Sequence, residues 1–194
     1  MYKRQLLDTA GDAAFRTDAF ERSLEHYEAA ISIQNNAGDI DTAGRLTARL
    51  IGVLGNGLAR VADATARGER VFAEIAETAS DRTLADLAST LAFLQSNGDL
   101  HQALASADNA CTLAERVDDI ELLGSAIGAK SVVLYRIGRH REAVILARGR
   151  MALAEAAGSL AEQAGASMYI SILVLDEDPH EAIRLQLQLS LIHI

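Results

Sequence analysis

The chain has 194 residues, of which 49% are hydrophobic, and its formal net charge is −9. This length suits one domain with a well-buried core, and the acidic balance argues against nucleic acid as a direct ligand, because duplex binding needs a positive surface. A single cysteine, Cys111, excludes an internal disulfide and a cysteine-based metal site. The opening of the chain has no apolar run that could form the core of a signal peptide, and no apolar run anywhere is long enough to span a membrane, so we expect a cytoplasmic protein without membrane contact.

A sequence pattern recurs about every forty residues along the chain. In it, a turn containing Gly or Asp precedes a helix that has a small residue near its start. The small residues are Ser23, Ala62, Ala103, Ala143 and Ala182. Such self-similarity is typical of stacked helical repeats, whose functions depend on surfaces. With four Tyr, four Phe and no Trp, the interior must be built from small and aliphatic side chains between closely spaced helices. The predicted fold class is therefore all-α.

In chain order, each repeat is predicted to contain two antiparallel helices, A and B. Helix A covers roughly 2–15, 40–55, 81–96, 120–136 and 160–175, and helix B covers roughly 19–35, 59–78, 100–117, 140–157 and 179–190. Apolar residues three and four apart mark one face of the A helices, as at Leu46, Leu50, Val53 and Leu54 and at Leu84, Leu87, Leu91 and Leu94. The repeats divide one domain, 1–189, into units of about 1–38, 39–79, 80–118, 119–158 and 159–189.

Glycines occupy two kinds of position in this scheme. Gly38 and Gly158 stand between units, where each can end a helix in the left-handed conformation before an Asp or Ser that caps the next helix. Other glycines lie inside predicted helices, where each costs about 0.5–1 kcal/mol relative to alanine. For these we predict a compensating close approach of neighbouring helices; they are Gly44, Gly52, Gly128 and Gly149.

The segment SLEHYEAAI, Ser23 to Ile31, resembles the second helix of a tetratricopeptide repeat. Leu7, Ala10, Gly11 and Ala14 stand where that family places its first-helix packing residues. The period is longer than the family's usual 34 residues, and Leu50, Leu91 and Ile170 replace the small residue seen as Gly11. Long, alanine-rich units of this type resemble the repeat regions of large bacterial signalling ATPases, nucleotide cyclases and transcriptional regulators. The resemblance implies a right-handed solenoid of about five helix pairs, cut from a larger regulatory protein.

The carboxyl end differs from the rest of the chain. LQLQLSLIHI alternates apolar and polar residues and supplies no helix stop. Its last residues, SLIHI, resemble translated sequencing-adapter read-through, so residues 190–194 are either native or a non-native tail.

Two features of the sequence resemble chemical sites. Gly55 and Gly57 supply two glycines of a GxGxxG pattern, but Arg60 takes the third place and no strand precedes them, which favours an inter-helix turn. Cys111 lies on the apolar face of a B helix, which favours an inert thiol over a nucleophile or redox sensor.

Three histidines, His101, His140 and His180, fall near the starts of successive B helices and suggest a metal ladder. Packed helices are about 8–10 Å apart, however, so equivalent positions do not converge on one ion, and solvated side chains are the better interpretation. No set of acid, base and nucleophile can be assembled from the sequence. We therefore expect a protein that is not an enzyme and that uses no cofactor or metal.

Two surfaces are candidates for binding a partner. The run from Lys130 to Arg150 is basic in an acidic protein; it is either an ordinary solvated face or a docking surface for an acidic helix, a phosphorylated segment or another domain of the parent chain. The family's first helices line a concave groove, which implies here a lining of small or apolar residues, Thr47, Ile51, Ala88, Ala92, Gly128, Val132, Tyr135 and Ser171. An amphipathic helix or an apolar peptide would suit that lining, unless further repeats fill the groove.

The function expected from these features is protein–protein interaction or scaffolding, with a protein or peptide as partner. An alternative is a regulatory domain that senses an apolar small molecule in the groove. The residues expected to contact the partner are Ile51, Ala92, Val132, Tyr135, Arg136, Arg139, Arg141 and Arg148.

Overall fold

The computed structural model of the protein describes residues 2–175 and 178–192. In this part of the chain all regular structure is helical, which confirms the all-α class; the handedness of the solenoid stays a prediction. The predicted tail at 190–194 lies outside the residues whose side chains are described. The helices are α1 (Tyr2–Arg16), α2 (Phe20–Asn36), α3 (Ile40–Gly52), α4 (Val61–Ile75), α5 (Asp81–Gln95), α6 (Leu100–Glu115), α7 (Ile120–Arg136), α8 (His140–Ala156), α9 (Leu160–Leu173) and α10 (Pro179–Ile192).

The helices form two layers. The A helices α3, α5, α7 and α9 pack against one another in sequence, and each also contacts the B helix before it and the B helix after it. Because neighbours cover an A helix on most sides, its side chains are apolar or small around most of its circumference. The predicted apolar faces of α3 and α5 are confirmed, since Leu46, Leu50, Leu87 and Leu94 are all buried.

The fourth residue of every B helix is small and buried, which lets each B helix approach its A helix closely. These residues are Ser23, Ala64, Ala103, Ala143 and Ala182. The sequence places Ala62 in this set, and that placement is wrong, because Ala62 is exposed and Ala64 is buried. The shift arises because α3 continues directly into a π-helix, Val53–Gly57, so that α4 begins only at Val61.

The turns between repeats follow the predicted chemistry except at Ser159, whose side chain accepts no capping hydrogen bond from the described residues at the start of α9. Gly38 and Gly158 have φ angles of +73° and +68°, in the left-handed region that favours glycine. The carboxylate of Asp39 accepts the Thr42 N–H, and the hydroxyl of Ser80 accepts the Thr83 N–H, at the starts of α3 and α5. These caps satisfy amides that have no partner within the helix.

The prediction of close approach holds for two of the four glycines inside helices. A Cβ atom on Gly44 would lie 2.5 Å from Cγ2 of Thr83, and one on Gly128 would lie 2.7 Å from Nη1 of Arg150. For Gly52 and Gly149 the prediction is wrong, because no neighbouring heavy atom lies within 4 Å of the added Cβ. Within the described residues, no helix is long and apolar enough to cross a lipid bilayer.

Candidate binding groove

A groove of about 680 Å³ runs across α3, α5, α7 and α9. Most of its lining comes from the same positions of successive A helices, namely six, nine, ten and thirteen residues after the N-cap. This spacing places side chains on one face of a helix. The lining residues at these positions are Arg45, Ala48, Arg49 and Gly52 from α3, Asp86, Ser89, Thr90 and Phe93 from α5, Ser125, Gly128, Ala129 and Val132 from α7, and Tyr169 from α9.

The structure corrects part of the predicted lining. Gly128 and Val132 lie in the groove, as expected. Ile51 and Ala92 have no exposed surface, so they can contact no partner, and their placement in the groove is wrong. Each lies one residue before the position that does face the groove, because the side chains of α3 and α5 at that phase pack against adjacent helices.

Four other predicted lining residues also lie elsewhere. Thr47 and Ala88 are 2% exposed and belong to the interior. Ser171 is buried too, and its hydroxyl accepts a hydrogen bond of 2.6 Å from Gln186 Nε2 on α10. Tyr135 is half-buried, with its ring edge-on to the ring of His140 and the two centroids 4.7 Å apart.

The groove has a charged edge as well as an apolar edge, so the expected lining of small and apolar residues describes only part of it. The charged edge carries arginines and carboxylates from the amino-terminal halves of the A helices and their N-caps: Arg45, Arg82, Asp86, Asp119, Glu121 and Glu162. The apolar edge carries Phe93 and Val132. Ile172 stands at the equivalent position of α9 and is 50% exposed. Small residues form the floor between the two edges.

Ion pairs hold most of the arginines along the groove. Arg49 lies 3.1 Å from a carboxylate oxygen of Asp12, and Arg82 is paired with Asp119. The Leu122 N–H, together with Arg82, holds the pKa of Asp119 below its usual value. Arg45 donates to the hydroxyl of Thr42 at 3.3 Å. The charged edge is therefore largely organised before any ligand binds.

Arg150 reaches the groove from the outer helix α8. Its side chain is 12% exposed and passes between α7 and α9, where Gly128 and Gly165 leave room for the guanidinium. There it lies 2.7 Å from Glu162 and 5.7 Å from the ring centre of Tyr169. The sequence interpretation counts Arg150 with an outer basic run, which the structure corrects. The glycines facing it on both neighbouring helices are the signal that could have revealed this path.

Asp86 and Ser89 are groove residues that the sequence analysis missed. Among the described residues, the carboxylate of Asp86 has no hydrogen-bond donor or ion-pair partner at contact distance, and burial raises its pKa against the opposing influence of Arg45, Arg49 and Arg82. The hydroxyl of Ser89, one turn further along α5, is buried without a partner. The available signal was an aspartate in the middle of a helix whose other charged residues are confined to its first two positions.

Most of the basic run is neutralised by neighbouring side chains. Lys130 lies 2.7 Å from Asp108, Arg139 lies 2.5 Å from Glu142, and Arg148 lies 2.9 Å from Glu181. Arg136 donates to Asn97 at 3.4 Å. Arg141 is exposed and has no ion-pair partner among the described residues. A partner-binding role for these arginines stays a prediction.

The remaining candidates lie outside the groove lining. His101, His140 and His180 are exposed, and no three metal-binding side chains cluster in the described part of the chain. Cys111 is half-buried, and burial raises the pKa of its thiol. Gly55, in the π-helix, packs against Leu94 of α5.

No protein-family model and no curated protein matches the chain. Solved structures do match it. The chain aligns with a Rap protein complexed with Competence and Sporulation Factor at a TM-score of 0.78 and 13% identity, over 95% of this chain and 52% of that one. It thus spans about half of that Rap protein. The fold is a tetratricopeptide-repeat-like solenoid.

Two further structures show the same fold over nearly their whole lengths. The TPR-like repeats of a Podosopora anserina kinesin light chain match with a TM-score of 0.61 and 17% identity, over 99% of this chain and 96% of theirs. BtubC (BKLC) from P. vanneervenii matches with a TM-score of 0.60 and 14% identity, over 99% of this chain and 90% of that one. At these identities the likeness establishes the solenoid architecture alone.

Proposed function

We propose that the chain is a non-enzymatic interaction module that binds a protein segment in the groove. The observation that carries the proposal is the amphipathic lining, in which Phe93 and Val132 face a charged edge formed by Arg45, Asp86 and Asp119. An amphipathic helix or peptide can place its apolar side on the first edge and its charged side on the second. The likeness to a Rap protein that is complexed with a factor supports a binding role.

We further propose that the module works in the cytoplasm as part of a larger bacterial signalling or transcription-regulatory protein. The likeness to a Rap protein twice as long supports a larger parent. Binding of an apolar small molecule is less well supported, because apolar ligands favour enclosed pockets with few polar groups, and this groove is open with a charged edge.

The groove can be tested with a matched pair of variants. Val132→Glu places a carboxylate on the apolar edge, and Ile145→Glu makes the same kind of change on α8, at a side chain that is 67% exposed outside the groove lining. Peptides are first selected from a phage-displayed random library against the wild-type protein, and their affinities for both variants are then measured by calorimetry. We expect Val132→Glu to weaken binding at least about tenfold, or about 1.4 kcal/mol, and Ile145→Glu to change it less than about twofold.

The basic run gives the contrasting outcome. If Arg141→Glu or Arg148→Glu weakens the selected peptides while Val132→Glu does not, the binding surface lies outside the groove and the proposal is wrong. Failure to select any peptide would also count against it.

A further inference from the structure

Asp86 is placed to contact a ligand in the groove. Its side chain lines the charged edge at the middle of α5, between Arg45 of α3 and Ser125 of α7 at the equivalent positions. Among the described residues, its carboxylate accepts no hydrogen bond and forms no ion pair. Three arginines act on it from a distance: Arg82 is paired with Asp119, Arg49 is paired with Asp12, and Arg45 donates to the hydroxyl of Thr42 at 3.3 Å. The carboxylate is therefore a half-buried charge without a partner in contact.

Ser89 provides a second, independent observation at the same place. It is 7% exposed, lines the groove, and its buried Oγ has no hydrogen-bond partner. Hydroxyls in helices usually bond to the carbonyl four residues earlier, as Thr90 does to Asp86 at 3.1 Å. Ser89 does not, although leaving a buried hydroxyl unpaired is unfavourable. Because Asp86 and Ser89 are three residues apart, they share one face of α5.

We infer that Asp86 and Ser89 form a subsite that binds a basic side chain, ammonium or guanidinium, of the segment in the groove. This inference rests on the proposed function. A bound cation would pair with the Asp86 carboxylate, and one of its N–H groups could donate to Ser89 after a small side-chain adjustment. Lysine offers three such donors and arginine five, whereas a carboxylate on the ligand would meet Asp86 with like charge.

The subsite is tested with two pools of acetylated, amidated pentapeptides that differ only at the central residue. One pool has lysine there, and the other has norleucine, which keeps the four-carbon chain without the ammonium. Binding of each pool to the full chain is measured by competition against a labelled member of the lysine pool. We expect the wild-type protein to prefer the lysine pool at least about fivefold, in line with a partly buried charge pair.

Two variants and a matched control test whether Asp86 and Ser89 cause the preference for lysine. Asp86→Asn should abolish the preference for lysine, and Ser89→Ala should reduce it. Asp63→Asn, the same change at an exposed residue of α4 that is paired with Arg60, should leave it intact. Thermal melts serve as a fold check: because burial disfavours the charged form of Asp86, Asp86→Asn should melt no lower than wild type at neutral pH.

The outcomes separate this inference from the groove itself. If the wild-type protein binds both pools equally and Val132→Glu abolishes both, the groove stands and the subsite is wrong. A lysine preference that survives Asp86→Asn also contradicts the subsite. If neither pool binds while the phage-selected peptides do, the groove stands and the subsite is wrong; if the selected peptides fail as well, both proposals are wrong.

Discussion

At the scale of the residue, glycines inside the helices of this chain differ in whether the packing requires them. Gly44 lets α3 approach α5 so closely that an added Cβ would meet Thr83 at 2.5 Å and Cδ1 of Ile75 at 2.9 Å. Gly149, in α8, is exposed and has open space around it. Glycine weakens a helix equally at both sites, since it has greater freedom in the unfolded chain. Only at Gly44 does the packing require it.

Alanine substitutions at these two glycines should therefore have opposite effects. We expect Gly149→Ala to raise the free energy of unfolding by about 0.5–1 kcal/mol, through helix propensity alone. Gly44→Ala should lower it by about 1–3 kcal/mol, because overpacking between α3 and α5 outweighs the same gain. Urea denaturation of both variants measures the difference. Stabilisation by Gly44→Ala would show that the α3–α5 contact yields easily and would contradict the argument.

At the scale of the element, Asp41 joins the amino ends of two successive A helices. Its carboxylate accepts the Ser80 N–H at 2.8 Å, the Ser80 hydroxyl at 2.6 Å and the Thr83 hydroxyl at 2.7 Å. The Ser80 hydroxyl and N–H lower the pKa of Asp41 more than burial raises it. The same serine caps α5, so one carboxylate fixes both the start of α5 and its position beside α3.

Asp41→Ala should destabilise the protein by about 1–3 kcal/mol at pH 7, because three donors lose a charged acceptor. The pKa of Asp41 is lower in the folded state than in the unfolded state. The stabilisation that the Asp41 carboxylate gives to the fold is therefore complete above its pKa in the unfolded state, about 3.9. It is lost as the pH falls through its lower pKa in the folded state. Urea denaturation at pH 7 and in acid should show the gap between variant and wild type narrowing below about pH 4. Asp63→Ala is the exposed control, and a pH-independent gap for Asp41→Ala would contradict the assignment.

Local features of the helices could be predicted from the sequence, whereas the rotation of a helix about its own axis could not. Caps such as Asp39 and Ser80 are local, so the turns were predictable. The phase of α5 was not, because apolar or small residues such as Leu87, Ala88 and Ala92 surround most of it, and an error of one residue rotates a helix by about 100°. The π-helix after α3 left no sequence signal beyond two glycines, and it shifted the start of α4.

At the scale of the whole molecule, each helix makes its main contacts with helices no more than two places away in the chain, so stability is approximately a sum over repeats and their interfaces. The central helix α5 packs against α3, α4, α6 and α7, whereas α9 packs against α7, α8 and α10. Leu87 and Leu173 are both buried, at 0% and 7% exposure, one in each of these helices. The same truncation at the two sites therefore tests whether the solenoid unfolds as one unit.

Leu87→Ala and Leu173→Ala should each cost about 2–5 kcal/mol where they occur, because each leaves a cavity in packed surroundings. We expect Leu87→Ala to lower hydrogen-exchange protection from α3 through α8, since the interfaces on both sides of α5 depend on it. Leu173→Ala should raise exchange in α9 and its contacts with α8 and α10, while α3 to α6 keep wild-type protection. Exchange measured by mass spectrometry resolves these segments. Equal loss of protection in every helix of Leu173→Ala would mean that the repeats unfold together, and that the groove, which α3, α5, α7 and α9 build, is a single cooperative surface.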